Sequence, residues 1–292
     1  MFKAKIANYF GTGSEVKHYQ DGSWCLCLIK MKLGKYRVEL EQNPSILWNA
    51  EQPQGFVETT CISVAGVKTF SEGQSVVLDI CYLLSLASMS QVTPYHFEFR
   101  GSAKSLSAVG QSMRYRPLLE IHDGSVVKSY LEKVWPNYRK LKRSRKLPEV
   151  IDMLTTCELP GLPLEIQLGQ MFVILENLKG TFAKYSGIPF VAGFFREISN
   201  PPKTNTKKEK QLSFNDLLTK MLAAEGMKPK LKRIIRLRNE IIHFGLSRKP
   251  YESLIKNYDY CHDVVREYLL RLLGYSGEYL VYSKACRTTL RL

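Results

Sequence analysis

The stretch GFVETTCISVAGVKTFSEGQSVVLDICYLLSLAS, residues 55–88, changes its hydrophobic period partway along, and that change decides the fold class. Up to Gly66 it is a short run rich in β-branched residues and bounded by glycines, the pattern of a strand. Beyond it, Val76, Val77, Ile80, Leu83, Leu84 and Ala87 recur at helical spacing. Ser71 and Gln74 have the S-x-x-Q form of a capping box, which predicts a helix beginning near Ser71. Working outward, FKAKIANYF (2–10), WCLCLIKM (24–31) and YRVELE (36–41) are separated by turn chemistry at Gly11-Thr12-Gly13 and Leu33-Gly34-Lys35, and read as antiparallel strands. TPYHFEFRG (93–101) and RPLLEIHDG (116–124) return to strand character. The expectation is a β-rich N-terminal domain with one packed helix, residues 1–125.

From Val126 the chain reads as helical to its end, so a helical bundle over residues 126–292 completes an α+β protein. Pro136 should end or kink the first of these helices. Six basic residues between Arg139 and Lys146 read as a surface run. EIQLGQMFVILENLKGTFAK (165–184) carries Ile166, Met171, Phe172, Ile174, Leu175, Leu178 and Phe182 on a broad apolar face. Residues 199–211, SNPPKTNTKKEKQ, read as a mobile polar loop. SFNDLLTKMLAAEG (213–226) follows as a helix with Ser213 or Asn215 as cap and Gly226 as stop. The next helix is expected from Pro229 to Gly245, and the last from about Tyr251 to Leu273.

The 42 Lys and Arg against 27 Asp and Glu leave a formal charge of +15, which favours a polyanionic partner. Nucleic acid leads, ahead of an anionic membrane surface. The seven cysteines are scattered without paired C-x-x-C spacing, so they read as reduced thiols, mostly core, and no metal is expected. No apolar run is long enough to span a bilayer and the first residues lack a signal-peptide core, so the expectation is a cytoplasmic protein without a membrane partner. There is no P-loop and no G-x-S-x-G, which removes the common nucleotide-hydrolase and serine-hydrolase signatures.

Chemistry concentrates in RLRNEIIHFG, residues 236–245. Asn239 and His243 are four apart and share a helical face, and Arg238 stands beside Asn239 with a side chain long enough to reach the same phosphate. An imidazole can take a proton from a ribose 2′-OH or return one to the 5′-oxygen, and a guanidinium stabilises charge developing on the phosphate. The other reading makes His243 a helix-end residue capping a carbonyl and Arg238 the partner of Glu240 or an earlier carboxylate. Lys228, Lys230, Lys232, Arg233, Arg236 and Arg238 form either a track for an RNA backbone or a solvated helix face.

Arg-Asn-x-x-x-His in an apolar helix followed by Phe-Gly resembles the signature of the HEPN superfamily. Together with MFVILENL (171–178) and YLLRLLGYSGEY (268–279), it resembles more narrowly the ApeA-like HEPN branch of bacterial anti-phage defence, over about residues 160–280. The resemblance implies a helical bundle that homodimerises and brings two copies of the motif together. It also implies metal-independent RNA cleavage, without a cofactor, leaving a 2′,3′-cyclic phosphate. Arg238 would then bind the phosphate, His243 act as acid or base, and Asn239 be the polar residue following the arginine. The auxiliary acid would be Glu176 or Glu165, and the N-terminal domain would sense or restrain. Independently of the resemblance, the basic series beside the motif makes Lys232, Arg233 and Arg236 the candidate RNA contacts. Alternatives are a non-catalytic dimerisation or RNA-binding module, and an antitoxin-like partner.

Other features carry less. His96 with Glu98, and His122 with Asp123, lack further ligands and read as surface residues. Cys261 and His262 are adjacent on a helix and point apart. Trp24, Tyr36, Trp48, Tyr95 and Phe97 make either a ligand-reading sheet face or a β core.

Overall fold

Alternation along the first strands sets one face of a sheet against the interior. In a computed structural model of the chain, residues 1–47, 55–106, 116–159, 161–197, 209–284 and 287–292 are described. Phe2, Ala4 and Ile6 of β1 (Phe2–Ala7) are buried while Lys3 and Lys5 face water. β2 (Glu15–His18), β3 (Trp24–Leu33), β4 (Tyr36–Gln42), a single helical turn α1 (Pro44–Leu47) and β5 (Glu58–Ala65) follow. β6 (Thr93–Phe99) and β7 (Ser102–Ser105) complete a seven-stranded antiparallel sheet in the order β2-β3-β4-β5-β1-β6-β7. The first strand is thus inserted between the fifth and sixth, so closing the sheet requires long-range pairing.

Helix α2 (Phe70–Ser88) covers the buried face, with Val76, Val77, Ile80, Leu83, Leu84 and Ala87 inside as their spacing predicts. Its cap differs from the expected one: Thr69, not Ser71, accepts from the Glu72 amide at 3.2 Å. Glu72 is occupied by Lys35 (2.6 Å), the Tyr36 hydroxyl (2.8 Å) and the Lys68 amide (2.8 Å), which hold its carboxyl down to about 2 and tie the helix start to β4. Gly73 is needed because a Cβ there would lie 2.2 Å from the Phe2 ring. Phe2, Phe70, Phe97 and Phe99 pack as one ring cluster. Tyr36 and Phe97 are therefore core, whereas Trp24 is 64% exposed and Trp48 lies outside the described residues. RPLLEIHDG is not a strand; Leu118, Leu119 and Ile121 are buried, but their backbone pairs with Ala87, Leu280 and Thr12 instead of a neighbouring ladder.

The chain divides into two compact units, and the division differs from the one expected at residue 125. The first comprises Met1–Tyr138, residues 158–160 and Leu273–Leu292; the second comprises Arg139–Cys157 and Gly161–Leu272. Helix α3 (Gly124–Leu141) runs through Pro136 without ending, and as far as Tyr138 it belongs to the first unit. The reason lies in its contacts there: Trp135 packs edge-on to Tyr36, and Glu132 accepts from the Lys32 amide at 3.0 Å. The hairpin of β11 (Glu278–Val281) and β12 (Thr288–Arg291) also belongs there, anchored by Leu280 N–H to Leu118 O.

In the second unit, α4 (Leu147–Cys157), α6 (Phe214–Ala224), α7 (Lys232–Phe244) and α8 (Tyr251–Leu272) all pack on α5 (Leu164–Tyr185). Leu168, Met171, Phe172, Ile174, Leu175 and Leu178 of α5 are wholly buried, each worth about 1.5–3 kcal/mol of transfer free energy. Ile166, expected on that face, is instead 52% exposed. A small antiparallel sheet joins the helices, β8 (Phe190–Val191), β9 (Phe194–Glu197) and β10 (Lys210–Gln211), braced by the buried Arg196 donating to the carbonyls of Glu209 and Val191. Of the expected mobile loop, residues 199–208 lie outside the described residues, and Lys210-Gln211 are strand. Among the described residues, no helix is long and apolar enough to cross a membrane.

Arg145 corrects the view of residues 139–146 as a surface run. Its side chain is 2% exposed and donates to the Tyr268 hydroxyl (2.6 Å), the Leu178 carbonyl (3.1 Å) and the Thr181 hydroxyl (3.3 Å). A guanidinium survives burial when its donors are matched in this way.

Candidate active site

Helix α7 forms because Ile234, Leu237 and Ile241 repeat at helical spacing and bury against the bundle. It begins at Lys232, not Pro229: the Lys230 amide donates to the Tyr260 hydroxyl at 2.7 Å, which keeps the preceding residues out of the helix. It ends at Gly245, whose φ of 74° closes the helix with an amide bond to the Ile241 carbonyl at 2.8 Å.

Arg238 leaves this helix towards α5. Its Nη2 donates to Glu176 Oε1 at 2.7 Å, its Nη1 to Asn239 Oδ1 at 3.0 Å, and its guanidinium lies 4.8 Å over the Phe214 ring. Glu176 also binds Lys179 Nζ at 2.8 Å, and Lys179 stands 5.3 Å over the same ring. One carboxylate and one aromatic face therefore hold two cations side by side. Phe214 is set by the cap of α6, where Ser213 and Asp216 bond reciprocally: the Asp216 amide donates to Ser213 Oγ (3.1 Å) and the Ser213 amide to Asp216 Oδ2 (2.9 Å). The Arg238 side chain is 22% exposed, and its Nε is buried without a partner among the described residues.

The structure brings Arg238, Asn239 and Glu176 together. Glu165 is eleven residues earlier on α5, about 16 Å along the axis, and does not belong to this cluster. His243 stands apart at the exposed end of α7 and has no hydrogen-bond or ion-pair partner among the described residues, so it caps no carbonyl. Glu240 is not Arg238's partner either. It accepts from the Arg248 amide (2.8 Å) and the Ser247 hydroxyl (3.0 Å), which hold its carboxyl below the usual range, and thereby pins the turn after α7. Lys232, Arg236, Asn239 and His243 fall at i, i+4, i+7 and i+11 and are all exposed, forming one polar stripe; Arg233 is exposed beside it. Apolar residues flank its far end: Ile242, Phe244, Leu246 and Tyr251 are between 50% and 79% exposed.

Phe214 and Lys179 were not legible as site residues. Lys179 carries a weak signal, since it shares a helical face with Glu176 at i, i+3; Phe214 carries none, because its contact with Arg238 is tertiary. The remaining candidates resolve structurally. His96 bridges Ser105 (2.9 Å) and Glu98 (3.0 Å) on the sheet. Asp123 accepts from the Ser125 amide (2.8 Å) and hydroxyl (2.6 Å) at the start of α3. Cys261 is buried, which pushes its thiol up to about 12 and removes it as a nucleophile, and His262 beside it is wholly buried. Among the described residues, no group of three His, Cys, Asp or Glu side chains is arranged to hold a metal ion.

No family model, no curated protein and no solved structure matches this chain.

Proposed function

We propose that the chain is a metal-independent endoribonuclease in which Arg238 binds the scissile phosphate and His243 moves protons. The observation that carries this is the Arg238 cluster: a guanidinium oriented by Asn239, Glu176 and Phe214, on the same helix as an exposed imidazole five residues further on. The imidazole takes the proton of a ribose 2′-OH as that oxygen attacks phosphorus. The 5′-oxygen leaves with a proton from an acid, giving a 2′,3′-cyclic phosphate and a 5′-hydroxyl. Arg238 stabilises the charge that builds on the phosphate oxygens. Two of its five N–H donors have protein partners, which leaves others for a phosphate, and Glu176 then serves to position the arginine.

One imidazole supplies one of the two proton transfers, and a second copy of this chain supplies the other. The apolar side chains exposed beside His243, with Ile166 and Val173 on the outer face of α5, give a surface that such a homodimer would cover. The β-rich unit is the regulatory part, and a role in phage defence follows from the HEPN resemblance. The occupied guanidinium also favours a second reading, an RNA-binding scaffold in which Arg238 is a fixed structural pair.

Expression toxicity separates the two. A nuclease requires that wild type slow growth and that His243→Ala relieve it. The scaffold requires that both behave alike while binding RNA with a steep salt dependence. A strict monomer at micromolar concentration would contradict the shared site.

A further inference from the structure

We infer that the pocket between the N-terminal ends of α7 and α8 holds a backbone phosphate of single-stranded RNA, whose next nucleotides run along α7 to His243. The inference rests on the nuclease reading for the direction of the strand, but not for the pocket itself. A cavity of about 900 Å³ is lined by Lys230, Lys232, Arg233, Lys256, Asn257 and Tyr260. Its volume suits a nucleotide. Four cations face it against one carboxylate, Glu252, and among the described residues none of the four is in an ion pair. Lys179, Lys220, Arg238, Lys249 and Arg271 of the same unit are each matched to a glutamate, so what distinguishes the pocket is four unmatched cations converging on one cavity.

Two further features fit a phosphodiester. Leu231 at the N-cap offers no side-chain acceptor to the opening amides of α7, so the positive end of the helix adds to the field in the cavity. Tyr260 is fixed by the Lys230 amide at 2.7 Å, and its half-buried ring is a surface on which a base can stack. From Lys232 the exposed stripe continues through Arg236 and Asn239 to His243, about 16 Å along the axis, a distance that a few nucleotides cover. A strand held at both ends of α7 is aligned before cleavage, and the pocket would set how much RNA must flank the cut.

The test is fluorescence anisotropy of the full chain with a 2′-O-methylated RNA octamer, which cannot be cleaved by 2′-oxygen attack. Lys256→Ala should weaken binding about tenfold and reduce the salt slope by about 0.7, the signature of one lost phosphate contact on a single strand. Lys256→Arg should restore both. Lys184→Ala, which removes another exposed charge, from the end of α5, should change neither. Unchanged affinity and slope for Lys256→Ala would overturn the inference. Equal losses for Lys256→Ala and Lys184→Ala would overturn it too, by reducing the effect to overall charge. Displacement of the octamer by 5′-AMP at equal concentration would do the same, since the pocket would then hold a free nucleotide. If the Lys256 effect holds while wild type cleaves no RNA, the nuclease reading falls and the phosphate site stands.

Discussion

Arg145 and Arg238 belong to the same helical unit and are put to opposite uses. Arg145 is sealed in the interior with neutral hydrogen-bond acceptors, and its loss would leave the buried Tyr268 hydroxyl without the donor it accepts from. Arg238 sits at the surface, held by a carboxylate, an amide and a ring that a phosphate can displace or share. The first arrangement spends a charged residue on stability; the second keeps a charge oriented and reachable. Burial and partner type separate the two, and residue type does not.

The largest expected effect breaks the working side of that comparison. Arg238→Ala should lower RNA cleavage by about 10³-fold, roughly 4 kcal/mol of transition-state stabilisation, while urea unfolding moves by less than about 1 kcal/mol. Arg145→Ala should do the converse: about 3 kcal/mol of stability is lost, read as a lower urea midpoint at unchanged slope, because the Tyr268 hydroxyl and Leu178 carbonyl lose a charged donor in the interior. Equal stability losses for the two variants would remove the distinction.

A smaller effect is expected where Arg238 is positioned. Glu176→Gln keeps the shape but loses the charge that holds Arg238 and Lys179. Single-turnover cleavage should fall about tenfold, about 1.4 kcal/mol, with RNA affinity nearly unchanged. The smallest effect concerns Glu240, whose carboxyl is depressed by the Arg248 amide and Ser247 hydroxyl. A depressed carboxyl stabilises above its unfolded value, near 4.3, and that contribution is lost as pH falls through the folded one. The Arg248 amide should therefore keep its exchange protection factor at neutral pH and lose it in acid, and Glu240→Gln should flatten the dependence.

Local physics made much of this legible. Period change over residues 55–88 located the strand-to-helix transition, Ser213 and Gly226 bounded α6, and Gly245 closed α7. What failed depended on contacts between distant residues. Arg145 looks like five basic neighbours, and only Tyr268 and Leu178 make it interior. RPLLEIHDG has strand-like residues but its backbone bonds are made elsewhere. The hairpin near the C-terminus carried no signal of belonging with the N-terminal unit. In the candidate site, Arg238, Asn239 and His243 were readable from spacing, and Glu176 came with the HEPN resemblance. Phe214, which supplies the ring under the guanidinium, was invisible until the fold brought it there.

The most direct measurement is end-group analysis of single-stranded RNA incubated in EDTA with wild type, Arg238→Ala and His243→Ala, each verified as folded. Wild type should give 2′,3′-cyclic phosphate and 5′-hydroxyl ends, and both variants should leave the RNA intact. Ends bearing a 3′-hydroxyl, or cleavage that survives loss of either residue, would contradict the nuclease reading.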